Sequence, residues 1–351
     1  MTDELANSTP QEAPAAPTDR ARKRWLLPVI IGGVAVVVLG GVGIAYATIS
    51  SQHTPTNTVS HYLDALIDGD AEGALDSLGD IPKDQRQLLS DSVFSQATDR
   101  ITDYTITTET VDGEKATVTV EIEQGGEASS HDLTLSAGDR EMGLFTNWKV
   151  DPASLPTVQV SFSGPEGFGV AVNGEDVSAA TAEASPMFPG TYEFEPISPS
   201  EMYATAPVSQ TVTLDTVGEA VPIALSATLS QEGVAAAQAA FNAHLDQCLA
   251  ATTIIPGNRC GYGMRPVPGS NYSNVRWTAT ERPQVDFPAW TEEKGWEVQL
   301  ISSGDLRMDG DYTDSEGGGI VFVDVTTYKP KGGVTFDADG NAVYTSTYKD
   351  E

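Results

Sequence analysis

Residues 25–49 read WLLPVIIGGVAVVVLGGVGIAYATI, and no charged side chain interrupts these 25 residues. At about 1.5 Å of rise per residue a helix of this length reaches roughly 37 Å, enough to cross a hydrocarbon core of about 30 Å with some tilt. The stretch reads as a membrane span, and the rest of the chain is placed by it. Arg20, Arg22, Lys23 and Arg24 precede it, and a basic flank of this kind stays on the cytoplasmic side. The expected topology is a disordered cytoplasmic tail over 1–24, a transmembrane helix over 25–49, a linker over 50–56 and an extracellular bulk beyond. A cleaved secretory signal is the rival, because Ala45-Tyr46-Ala47 has the small-x-small pattern of a cleavage site. Against it, the apolar run exceeds a signal's roughly 7–15 residues and follows a long polar segment.

The 351 residues carry 19 Lys and Arg against 50 Asp and Glu, a formal net charge of −31. Four of each sign fall within residues 1–25, so the part beyond the span keeps 15 bases and 46 acids and holds the whole imbalance. Such a surface repels nucleic acid and anionic headgroups, which leaves cationic partners or simple solubility. At about 150 residues per domain the outer part predicts two or three folded units.

Downstream of the linker, Val59, Tyr62, Leu63 and Leu66 fall at helical spacing. Ala71, Ala74, Leu75 and Leu78 repeat it, and a third helix is expected from Pro82 toward Arg100. The period then changes to two, with Tyr104/Ile106, Val118/Val120/Ile122, Leu133/Leu135 and Trp148/Val150 alternating with polar residues. Helices followed by an antiparallel sheet make 57–152 an α+β domain. Over 155–228 no helical period appears, and Asn173-Gly174 is a strong hairpin signal between alternating runs. That part reads as an all-β sandwich. The last part, 231–351, opens with an amphipathic helix carrying Phe241, Leu245 and Cys248 and continues with strands around Trp277, Trp296, Phe322 and Phe336. It reads as a second α+β unit. The expected fold class is thus a single transmembrane helix plus extracytoplasmic α+β, all-β sandwich and second α+β modules.

The opening HYLDALIDGDAEGALDSL (61–78) and the strand FTNWKV (145–150) resemble small extracytoplasmic NTF2-like domains. The order of span, NTF2-like unit and a β domain with VNGEDV (172–177) and FPGTYEF (188–194) resembles the extracytoplasmic part of the teicoplanin-resistance-associated membrane protein family. The family's cytoplasmic zinc ribbon is missing, since the tail has no cysteine. The resemblance implies an accessory or sensing role in a bacterial envelope and supplies no catalytic residue.

Cys248 and Cys260 are the two cysteines of the chain. In an oxidising compartment they read as a structural disulfide, because a redox pair is normally Cys-x-x-Cys and two cysteines cannot complete a zinc site. In GDLRMDGDYTDSEGGG (304–319), Asp309, Asp311, Asp314 and Glu316 crowd oxygen ligands of the kind Ca²⁺ takes. The spacing is not that of an EF-hand, and a solvated hairpin tip is the plainer reading. Asp337-Ala338-Asp339-Gly340-Asn341 reads as a turn between strands. His61 with Asp64 or Tyr104 is the one pairing that imitates an acid–base pair of an NTF2-like cone, and a helix-edge histidine is the plainer reading. No hydrolase, P-loop or dinucleotide motif appears in a supporting context, and no cofactor is expected. The expected function is binding or sensing without catalysis. Tyr62, Tyr104 and Trp148 are the candidate ligand-lining residues, and the partner is a cell-wall component or a cationic envelope protein. An enzyme using a cone pocket and a structural spacer are the alternatives.

Overall fold

The computed structural model describes residues 53–141, 145–178, 183–257 and 259–349. The tail over 1–24, the apolar stretch over 25–49 and residues 50–52 of the linker lie outside the described residues, and the linker's last two residues already belong to the first helix. Among those that are described, no helix is long and apolar enough to cross a membrane. The expected fold class needs correction in its balance as well. The described chain is mostly β-sheet, with nineteen strands in five sheets.

Helix α1, Pro55–Asp68, begins where Thr54 accepts a hydrogen bond from Asn57 N and ends at Gly69, whose φ of 76° closes it. Its face of Val59, Tyr62, Leu63 and Leu66 is buried, and α2, Ala71–Ser77, follows with Asp70 as its cap. The third helix does not run on from Pro82. Two 3₁₀ turns, Lys83–Gln85 and Gln87–Leu89, are followed by the single turn α3, Asp91–Phe94. Two local bonds account for the break. Arg86 Nε donates back to Ile81 O at 2.7 Å, and Asp91 Oδ1 accepts from Ala71 N at 2.7 Å, so the start of α3 caps α2. These helices cover the meander β1 (Ile101–Asp112), β2 (Lys115–Gln124), β3 (Glu127–Glu141) and β4 (Phe145–Val150), paired in sequence order.

The middle of the chain forms two four-stranded sheets. One has the order β10 (Tyr203–Thr205), β12 (Ala220–Leu229), β5 (Thr157–Ser163), β8 (Ser185–Pro186). The other runs β11 (Val208–Val212), β9 (Gly190–Ile197), β6 (Gly169–Val172), β7 (Glu175–Asp176). Strands β5 and β12 pair in parallel. Asn173 and Gly174, at φ 50° and 84°, form the loop between β6 and β7. The tip of that hairpin is a joint, because Asn173 Nδ2 donates to Val93 O at 2.9 Å and its Oδ1 accepts from Glu193 N at 2.9 Å. Beside it, Thr98 and Thr191 exchange backbone hydrogen bonds of 2.7 and 3.1 Å. One buried cluster runs without interruption from Val59 to Leu225, through Phe94, Phe188 and Tyr192.

Helix α4, Gln231–Leu249, opens the last part, which contains two sheets where one was expected. They are β13 (Asn271–Glu281), β16 (Gly304–Asp314), β17 (Gly317–Tyr328), and β14 (Gln284–Thr291), β15 (Gly295–Ser302), β18 (Gly332–Phe336), β19 (Ala342–Ser346). The acidic run 304–319, read as a hairpin tip, has its turn at Ser315 and Glu316, and its first eleven residues are strand β16. Gly304, Leu306, Met308 and Gly310 point inward while Asp305, Arg307, Asp309 and Asp311 alternate outward. The junction with the middle sheets is tight at the start of α4. Ser230 accepts from Gly233 N and donates to Glu201 O, and a Cβ on Gly233 would lie 2.1 Å from Met202 O. Only glycine lets the helix start this close to that backbone.

Candidate functional site

Of the three residues expected to line a ligand site, two are buried and one is half-buried. Tyr62 is 1% exposed and packs against Phe188, with ring centroids 6.4 Å apart. Trp148 is 7% exposed within the same core. Tyr104 is half-buried on β1 and its hydroxyl donates to Asp64 Oδ1 at 2.9 Å, which latches the strand to the outer face of α1. His61 and Asp64 are both exposed on that helix, so the acid–base pair has no water-excluding cone around it. A grouping that sequence spacing did not reveal is Ser129, His131 and Asp215. His131 Nε2 lies 2.7 Å from Ser129 Oγ and 3.8 Å from Asp215 Oδ1. Both partners meet the same ring nitrogen, whereas a nucleophilic triad needs the acid on one nitrogen and the nucleophile on the other.

Among the acidic residues weighed for calcium, Asp309 accepts from Arg307 Nε at 2.9 Å and Asp311 from Asn274 Nδ2 at 2.7 Å. Asp314 accepts from the backbone of Glu316 and Gly317, which shapes the β16–β17 turn. Among the described residues no group of three or more His, Cys, Asp or Glu is arranged to hold a metal ion. Cys248 and Cys260 are bonded to each other, with Cα atoms 5.7 Å apart.

The opening that does combine recognition chemistry lies between the middle sheets and the last part of the chain. It is a groove of about 960 Å³ whose lining includes Tyr203, Trp290 and Phe336. These half-buried rings continue a chain of aromatic contacts. Phe162 stacks on Phe168 at 4.4 Å, Phe168 meets Tyr203 at 5.4 Å, and Tyr203 meets Trp296 at 6.2 Å and Phe336 edge-on at 5.7 Å. Trp290 packs edge-on against Trp296 at 5.7 Å. Burial pushes the Tyr203 phenol upward, so it stays protonated at neutral pH. Glu166, Glu201, Glu292, Asp337 and Asp339 stand exposed among the lining residues, which include no Lys, Arg or His.

Asp337 is the most constrained of these acids. Its carboxylate accepts from Asn341 Nδ2, from Asn341 N at 2.8 Å and from Asp339 N at 2.9 Å, bonds that hold its pKa below the usual carboxylate range. The turn expected over 337–341 is therefore also a wall of the groove. An opening with π faces and carboxylates but no base suits an ammonium or guanidinium group, which gains from ring faces and from the acidic field together. Sequence reading missed it because its rings and acids come from segments spread over 164–340.

No family model matches this chain, and neither a curated protein nor a solved structure matches it. The groove is therefore interpreted from its own chemistry.

Proposed function

We propose that the protein binds a cationic group of a cell-wall component or envelope protein in the groove formed by Tyr203, Trp290 and Phe336 under its acidic residues. The observation that carries this reading is the conjunction of an open aromatic surface with five carboxylates and no base. A cation seated over such rings gains about 0.5–2 kcal/mol per good contact, and the surrounding negative field raises its local concentration. Location outside the cell, anchored through residues 25–49, is part of the proposal. It rests on the sequence of that stretch and of its basic flank. The likeness to the teicoplanin-resistance-associated family agrees with an envelope role and remains a reading of residues 61–194. Binding is favoured over the cone-enzyme alternative by the exposed positions of His61 and Asp64.

The test is calorimetric titration of the full chain, in nonionic detergent, with an oligolysine peptide and with the same peptide acetylated on its side chains. Saturable binding of the charged peptide alone is expected, weakening as salt rises because screening acts over about 8 Å at physiological ionic strength. Trp290→Ala, and Glu292→Gln with Asp339→Asn, should each weaken it about tenfold. Equal binding by these variants, or by the acetylated peptide, removes the groove from the account.

A further inference from the structure

Strand β17 ends its sheet, and among the described residues no strand pairs with its far side. In an antiparallel ladder every second residue of such a strand directs its N–H and C=O to the open edge. Proteins ordinarily blunt an edge of this kind with bulges, proline or charge. The other long edge strands of this chain do so. β1 has two register shifts and carries Asp103, Glu109 and Asp112. β13 shifts register between Ser273 and Arg276, around Asn274 at φ 53°, and β14 holds Pro288 inside its shift between Asp286 and Ala289. β17 instead pairs in unbroken register from Gly317 to Val325, opposite Asp314 to Leu306, with no lysine or proline and with Asp324 as its one charge.

Both faces of this edge are apolar. Inward, Val321, Val323 and Val325 pack against the cluster of Trp277, Leu306, Met308 and Tyr328 but stay half-buried, so the cluster is only partly covered on that side. Outward, Ile320 is 79% and Phe322 59% exposed, although the Arg307 guanidinium lies 4.6 Å from the centroid of the Phe322 ring. Gly317, Gly318 and Gly319 add a stretch without side chains, where another backbone can come close. The outward face is acidic. Arg307 pairs with Asp309 at 2.9 Å and with Asp324 at 3.5 Å, Asn274 donates to Asp311, and Asp314 and Glu316 stand exposed at the turn. Arg276, opposite Asp309 on β13, is the other base of this face, so carboxylates outnumber guanidinium groups there.

We infer that β17 is a docking edge for an extended segment of a partner polypeptide in which apolar residues alternate with lysine or arginine. Such a segment adds a fourth strand to the sheet, and its backbone hydrogen bonds supply affinity. Its apolar side chains fall on the inward face beside the valines, and its basic ones on the outward face beside Phe322 and the aspartates. A second copy of this chain fits less well, because molecules of net charge −31 repel one another and β17 brings no cation of its own. The inference is independent of the acidic groove, none of whose lining residues belongs to β17.

The full chain in nonionic detergent is titrated with an end-capped peptide of alternating lysine and valine while amide hydrogen exchange is followed residue by residue. Saturable binding is expected, with exchange slowed about tenfold or more at alternate amides between Ile320 and Val325. This readout needs no variant and is specific to the edge. The same peptide methylated on every backbone nitrogen, and oligolysine of the same charge, should each leave β17 exchange unchanged. Combining Ile320→Thr with Phe322→Thr alters only exposed side chains and should weaken the protection by the peptide about tenfold. Absence of binding, binding that leaves β17 exchange as it was, or equal protection by the methylated peptide or by oligolysine overturns the inference. So does a double variant protected like the unaltered chain. Protection that grows with protein concentration before any peptide is added would make a second copy the occupant and overturn it as well.

Discussion

Aromatic rings gather at two junctions in this molecule, and the two are finished differently. Where α1 and α3 meet the middle sheets, Tyr62, Phe94, Phe188 and Tyr192 are each 1% exposed or less. That junction is sealed by the Asn173 bonds to Val93 and Glu193, by the Thr98–Thr191 pairing and by Gln124 Nε2 donating to Val212 O at 2.9 Å. Where the middle sheets meet the last part, Tyr203, Trp290 and Phe336 are half-buried and acids surround them. The first junction uses aromatic area to hold two parts together. The second leaves part of the same kind of area open, which is what a ligand needs.

The strongest way to break the comparison is to truncate one ring at each junction. Phe188→Ala should destabilise the folded chain by about 3–5 kcal/mol, read from denaturant unfolding. Trp290→Ala should shift the same transition far less. Equal losses would mean that the groove is simply an unfinished core. Next in size, replacing Cys248 and Cys260 together by serine should cost about 3 kcal/mol, the scale of closing a short loop, and should leave both junctions' aromatic signals in place. At the sealed junction, Asn173→Ala loses two side-chain hydrogen bonds and places alanine at φ 50°, so about 1–2 kcal/mol is expected.

The smallest effect concerns Asp151 on the outer side of the first sheet. Its burial raises the carboxyl pKa, but bonds from Ser136 and Lys115 outweigh that and hold it below the usual value. A depressed folded-state pKa contributes stability above the unfolded pKa and loses it as pH falls through the folded value. Asp151→Asn should therefore destabilise at neutral pH by about 1 kcal/mol or less, and the two curves should converge in acid.

Period-based reading located what hydrophobic alternation marks openly. The apolar faces of α1 and α2, the strands around Val118 and Trp148 and the Asn173-Gly174 hairpin are all visible as patterns of residues. It failed where acids mask the alternation. In β16 the inward Leu306 and Met308 are separated by Arg307 and flanked by aspartates, so the run read as a hairpin tip and the strand leading into it was not marked. It failed again at Pro82, where propensity suggested a helix and the bonds of Arg86 and Asp91 fixed separate turns. The candidate ligand residues show a related limit of local pattern. Tyr62 and Trp148 are large and aromatic, but helical and strand spacing put them on inward faces, and nothing local distinguishes an inward ring in a dry core from one in a cavity. The groove joins positions from Gly164 to Gly340, and that convergence exists only in three dimensions.

The central claim is that the second junction is open to a cation and the first is closed. Indole N–H resonances of the full chain separate the two, because Trp148 belongs to the first part's core while Trp290 lines the groove and Trp296 packs against it. Titration with oligolysine should shift the Trp290 signal, and the Trp296 signal with it, while Trp148 stays fixed. Movement of Trp148 with Trp290 unmoved would place the ligand under the first sheet and contradict the account.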